Sequence, residues 1–206
     1  MREAAFDKRF LGDTPEARLD CAWDKYFATE GPFNAWEALK ERTDWMVERV
    51  IGPWVADVGC GSGTLSFLAA KRCGVTRVVA IDPLKSALDL TLEHVKGLPV
   101  DVAQRWAEDL GGLIHSAVDT VLLGETLQHA LNPTEVLAEA ARALVPGGRV
   151  VISVPEGGNP APDHLRHFTR DQLFALVEMA GFRVDEFKRI APWLCLVATS
   201  VESEPA

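Results

Sequence analysis

From position 54 onward, short apolar runs alternate with stretches whose apolar residues recur every three or four positions. The runs at 55–58, 77–81, 100–104, 118–123, 149–154, 182–189 and 193–199 read as strands, and the stretches at 64–72, 84–95, 133–144 and 170–180 read as helices. Strands that alternate with helices predict a parallel, doubly wound α/β sheet. Only a turn around Ala191 and Pro192 separates the last two runs, too little chain for a crossover helix, so they are expected to pair antiparallel as a hairpin. Two helix starts carry their own signals. Asn132 precedes Pro133 at a first helical position, and Thr169 with Gln172 forms a capping box.

The first fifty residues carry few strand signals and read as two or three helices broken at Gly31 and Pro32. They are aromatic, with Trp23, Tyr26, Phe27, Phe33, Trp36 and Trp45. These side chains either pack the helices onto the sheet edge or wall a substrate pocket, and Tyr26, the sole tyrosine, is the candidate for substrate contact. The expected organisation is an N-terminal helical cap at 1–50, one domain at 51–200 and a disordered tail at 201–206.

Composition narrows the function classes. A chain of 206 residues suffices for one domain with a real core. A net charge of −9 and no long Lys/Arg cluster argue against a nucleic-acid partner, because phosphate binding relies on such clusters. No apolar run reaches the length needed to cross a bilayer, and the polar start MREAAFDKRF does not read as a signal sequence, so a cytoplasmic protein is expected. The four cysteines, at 21, 60, 73 and 195, form no C-x-x-C pair; neither disulfides nor a metal site are expected.

The chemistry concentrates at 55–63, VADVGCGSG, a buried strand running into a glycine-dense turn and a helix start. Gly59, Gly61 and Gly63 permit positive φ and close approach of a ligand. Asp57 lies near the end of that strand, and the next strand ends in Asp82, about twenty residues past the glycines, where a βαβ unit offers an acid to a ribose diol. A dinucleotide fingerprint would need a glycine at position 64, where Thr64 stands.

The acid followed by G-x-G-x-G resembles motif I of the class I S-adenosylmethionine-dependent methyltransferases. Further stretches resemble that family in order: 78–91 with the ribose acid, 105–112 beside the adenine, 118–133 toward the methyl group, and the P-G-G turn at 146–148 before the fifth strand. The run H-x-R-x-F-T at 164–169 resembles a small-molecule subgroup that includes ubiquinone-biosynthesis, sugar and natural-product enzymes. The resemblance implies a Rossmann-like sheet of seven strands, mostly parallel, with an antiparallel last strand. It implies S-adenosylmethionine as cofactor and S-adenosylhomocysteine as product. Its cofactor residues map onto Asp57, Gly59, Cys60, Gly61, Asp82, Pro83, Leu84, Ala107, Glu108, Gly124 and Glu125. Many relatives carry an acid where this chain has Trp106, which is placed to stack on the purine.

His129 and His164 are the candidate bases, each alternatively a hydrogen-bonding staple for a neighbouring loop. Arg166 and His167 are candidates for substrate contact. The function implied is methyl transfer to a small molecule, foremost to an oxygen of a sugar, quinone precursor or natural product, by a monomer or homodimer. A non-catalytic cofactor-binding scaffold is the alternative, opposed by the polar residues on predicted carboxyl-edge loops. A nicotinamide dehydrogenase is opposed by Thr64 and by the lack of a Tyr-x-x-x-Lys pair.

Overall fold

A computed structural model of the chain describes residues 36–110, 112–157 and 164–201. Trp23, Tyr26, Phe27 and Phe33, the break at Gly31 and Pro32, and the tail from 202 lie outside the described residues. The described elements run in the order α1 (Trp36–Glu48), β1 (Trp54–Val58), α2 (Thr64–Ala70), β2 (Arg77–Asp82), α3 (Lys85–His94), β3 (Val100–Gln104), a 3-10 turn (Ala107–Asp109), β4 (Val118–Gly124), α4 (Pro133–Ala143), β5 (Leu144–Pro155), α5 (Arg170–Met179), β6 (Phe182–Ile190) and β7 (Trp193–Ser200).

The seven strands form one sheet in the order β3-β2-β1-β4-β5-β7-β6. The pairs among β1 to β5 are parallel, whereas β7 runs antiparallel to both β5 and β6. The hairpin expected around Ala191 is therefore present. Strand order reverses between β1 and β4, and the crevice at their carboxyl ends is where open α/β sheets receive ligands.

The near-continuous apolar runs are explained by burial on both faces. Alternate residues enter opposite cores: Ala56, Val58, Val121, Leu123 and Ile152 join the core that also holds residues of α4 and α5, while Val55, Leu122, Val151 and Cys195 join Met46 of α1 and Leu65 of α2. Trp45 is buried there, so this member of the aromatic set packs its helix onto the sheet. Arg49 fastens the end of the same helix to β6, lying 4.1 Å from the Trp45 ring centroid and 2.6 Å from Glu186.

Both predicted caps form. Asn132 Oδ1 accepts from Glu135 N, and Thr169 and Gln172 exchange side chain and backbone bonds. The fifth strand begins earlier than its apolar run. Leu144 pairs with Val118 and Arg149 with Thr120, so residues 145–148 bulge out opposite Asp119, with Gly147 at φ 76° supplying the turn. Among the described residues no helix is long and apolar enough to cross a membrane.

Candidate functional site

The loop from β1 to α2 is built by its glycines. Gly59, Gly61 and Gly63 have φ of 72°, 55° and 80°, conformations that a side chain would oppose. Gly59 N and Cys60 N donate to Ile81 O at 2.7 and 3.0 Å, tying the loop to β2. Thr126 Oγ1 donates to Val58 O at 2.7 Å and stands 2.7 Å from where a Cβ on Gly59 would lie. Gly59→Ala is therefore expected to cost roughly 2–4 kcal/mol from left-handed strain and overpacking, or about 5–15 °C in Tm. A thermal melt within about 2 °C of wild type would show that the loop tolerates the methyl group.

Two acids flank this loop from below and beside. Asp57 is 1% exposed and accepts from Ser66 Oγ of α2 at 2.6 Å. Burial pushes its pKa up to about 6, against the opposing pull of the Ser66 bonds and with a smaller contribution from the Asp82 charge. Because this folded-state value lies above that of an unfolded Asp, about 3.9, the protonated fold is favoured; the stability it contributes is complete below about pH 4 and is lost as pH rises through 6. Asp57→Asn carries no charge to desolvate and keeps an acceptor for Ser66. Its stability relative to wild type should rise between pH 4 and 7 by on the order of 3 kcal/mol. A Tm difference that does not change across that range would contradict this origin. Burial likewise holds the Cys60 thiol well above its ordinary pKa, so Cys60 is a packing residue and not a nucleophile.

Asp82 closes β2 and is 7% exposed. Its Oδ2 accepts from Gly61 N at 3.0 Å and its Oδ1 from Leu84 N at 2.9 Å, so one carboxylate organises both the glycine loop and the start of α3. Pro83, Leu84, Trp106 and Ala107 continue the wall of a single cavity over the carboxyl edge. Glu108 also lines it, and its Oε1 accepts from Leu131 N and Asn132 N, which ties this wall to the start of α4.

The opposite end of the cavity holds an arrangement that the sequence pattern did not disclose. Glu125 follows β4 at φ 59°, rare for a residue with a side chain, with its N–H bonded to Ser153 O. Its carboxylate accepts from Trp193 Nε1 at 2.8 Å and pairs with Arg42 Nη1 at 3.1 Å. The Arg42 guanidinium is 5.2 Å from the Trp193 ring centroid and also donates to Ser153 Oγ. Arg42 is 5% exposed, lines the cavity, and has a buried Nε without a partner among the described residues. Its one sequence signal was an arginine four positions before Met46, on the buried stripe of α1.

All eleven positions expected to hold the cofactor line this cavity, and His129 joins them. The loop at 164–167 instead packs on the segment after β4. His164 stacks edge-on to His129 with ring centroids 5.0 Å apart, and His167 follows at 6.4 Å. Leu165 N donates to Gln128 O, while Arg166 donates to the carbonyls of Ala130 and Leu131. Burial draws the Arg166 pKa down, with Glu108 opposing. Arg166 is thus bonded to protein carbonyls, and neither it nor His164 nor His167 is among the cavity's lining residues. Tyr26 lies outside the described residues.

Residues 56–152 match the model of a methyltransferase domain family. The ubiquinone biosynthesis O-methyltransferase of Aeromonas salmonicida is 27% identical over 205 residues, an alignment covering 86% of this chain and 84% of that protein. The enzyme of the same name from Pseudomonas savastanoi pv. phaseolicola is 37% identical over 142 residues, covering 66% of this chain and 60% of its own. Like this one, several of the relatives are spanned only to about 60% of their length. Among solved structures, the 1,6-didemethyltoxoflavin-N1-methyltransferase of Burkholderia thailandensis, with bound 1,6-didemethyltoxoflavin and S-adenosylhomocysteine, superposes with a TM-score of 0.72 at 19% identity, covering 93% of this chain and 92% of that one. Taken with the sheet order, the glycine loop and the acid closing β2, these matches place the chain in the class I S-adenosylmethionine-dependent methyltransferases, with S-adenosylmethionine as its cofactor.

Proposed function

We propose that the chain methylates a hydroxyl oxygen of a small molecule, with the phenolic or catechol-like ring of a quinone precursor as the first acceptor class to test. The observation that carries this reading is His129, a proton acceptor on the wall of the cofactor cavity, in the turn that follows Glu125. The names of the relatives at 27–37% identity support oxygen as the receiving atom.

The cavity suits the cofactor on its own chemistry. Asp82 presents a carboxylate where two ribose hydroxyls would bond, each such charge-assisted bond contributing roughly 1.5–3 kcal/mol. Pro83, Leu84 and Trp106 offer an apolar slot for the purine, with Ala107 and Glu108 at its edge. The buried Arg42 Nε has no partner among the described residues and would donate to an anionic group such as the amino-acid carboxylate. Gly124 at the end of β4 lets the Leu65 side chain close the cavity wall against the backbone, since a Cβ there would lie 2.4 Å from Leu65 Cδ1. When bound, S-adenosylmethionine supplies an electrophilic methyl group on a sulfonium.

The protein's own part is placement and proton handling. Holding acceptor and donor in line contributes roughly 7–11 kcal/mol. His129 would take the hydroxyl proton as the oxygen attacks. The ring is held by the edge contact with His164, and Gln128 Nε2, 3.3 Å away, donates to His129 Nε2, a bond that the substrate hydroxyl would replace.

The test is transfer of label from methyl-labelled S-adenosylmethionine to a panel of catechols, hydroxybenzoates, sugars and amines. Label on a hydroxyl of the aromatic set is expected. Label only on amines would move the reading to nitrogen, and binding without transfer to any class would favour a scaffold.

A further inference from the structure

We infer that Thr91 and His94, on the last turns of α3, are positioning residues that hold the glycine loop in its cofactor-receiving shape. This rests on the cofactor reading of the cavity but assigns a role to residues outside it. Thr91 is fully buried, and its Oγ1 donates to Gly61 O at 2.8 Å. His94 Nδ1 lies 2.6 Å from Ser62 O. A carbonyl only accepts, so this contact requires the proton on Nδ1.

Together with Asp82, these bonds pin consecutive loop groups. Gly61 is held at its N–H by Asp82 Oδ2 and at its C=O by Thr91, and Ser62 is held at its C=O by His94. Gly61 and Ser62 line the cavity, whereas Thr91 and His94 do not, so their bonds reach the loop from the α3 side. The Thr91 side chain also fills the space beside Gly63, where a Cβ would lie 2.8 Å from Thr91 Cγ2. Asp82 Oδ1 accepts from Leu84 N just before α3, so the segment from the ribose acid to His94 sets both sides of the loop as one unit.

A loop with three glycines has much backbone freedom to lose on binding. The two side chains remove that freedom beforehand, and preorganisation of this kind appears as affinity. Their loss should therefore weaken the cofactor product more than it weakens the fold.

The experiment titrates S-adenosylhomocysteine calorimetrically into wild type, Thr91→Val, Thr91→Ser, His94→Leu and His94→Asn, with Tm and amide hydrogen exchange of residues 61–65 measured on each. Thr91→Val and His94→Leu are expected to bind about tenfold more weakly, as for one lost hydrogen bond, with faster exchange of the loop amides. Thr91→Ser and His94→Asn retain a donor and should bind within about threefold of wild type. Wild-type affinity in the Val and Leu variants would overturn the inference. So would equal loss in the conservative variants, since that pattern reports packing and not the hydrogen bonds. If wild type itself fails to bind, the cofactor reading fails separately, and the exchange rates still decide: unchanged loop exchange in Thr91→Val and His94→Leu overturns the brace.

Discussion

Asp82→Ala is expected to weaken S-adenosylhomocysteine binding by at least about a hundredfold. Two losses combine in this one substitution. On the proposed reading the carboxylate accepts from the ribose diol, and two charge-assisted bonds of roughly 1.5–3 kcal/mol each exceed the 2.7 kcal/mol that a hundredfold change represents. The same carboxylate also orders the ligand-free site through Gly61 N and Leu84 N. Removing it leaves a 7% exposed position with two backbone donors to resatisfy, so the loop should loosen as well. Asp82→Asn keeps an acceptor but loses the charge, and its affinity should fall between the two. Calorimetric titration reads all three proteins. An Asp82→Ala affinity within about threefold of wild type would mean that the ligand does not engage the end of β2.

His129→Ala is expected to act on turnover and not on cofactor affinity. A positioned general base contributes typically 10²–10⁴-fold, so kcat with a phenolic acceptor should fall by at least about a hundredfold while S-adenosylhomocysteine affinity stays within about threefold. Added imidazole should restore part of the rate, because the substitution leaves a space beside His164 that the free base can enter. Equal losses in affinity and turnover would make His129 part of the binding wall and remove the assigned division of roles. Unchanged turnover would leave it a staple between the loop after β4 and the loop at 164–167.

The parallel sheet was legible because its strands are buried on both faces. VADV and VLLG leave little room for a helical period, and each ends at a residue that lines the cavity or lies beside one that does. The cavity wall was legible where it is built on chain-local signals, namely glycines at a strand end and an acid closing the next strand. Contacts between residues distant in sequence were not. Arg42 meets Glu125, Ser153 and Trp193 through tertiary packing, and nothing local to α1 shows which partner its guanidinium finds. Arg166 presented the same difficulty. Its charge and loop suggested a substrate contact, but the carbonyls of Ala130 and Leu131 lie within reach and bind it. Glu108 plays a double part for a similar reason, since the backbone N–H groups entering α4 need an acceptor that the fold brings from the 3-10 turn.

The most direct measurement is a crystal structure of the protein with S-adenosylhomocysteine. The expected complex has both ribose hydroxyls within hydrogen-bond distance of the Asp82 carboxylate, the adenine between Leu84 and Trp106, and the sulfur toward Gly124 and Glu125. Ligand bound elsewhere, or in this cavity with its ribose away from Asp82, would contradict the assignment of the site.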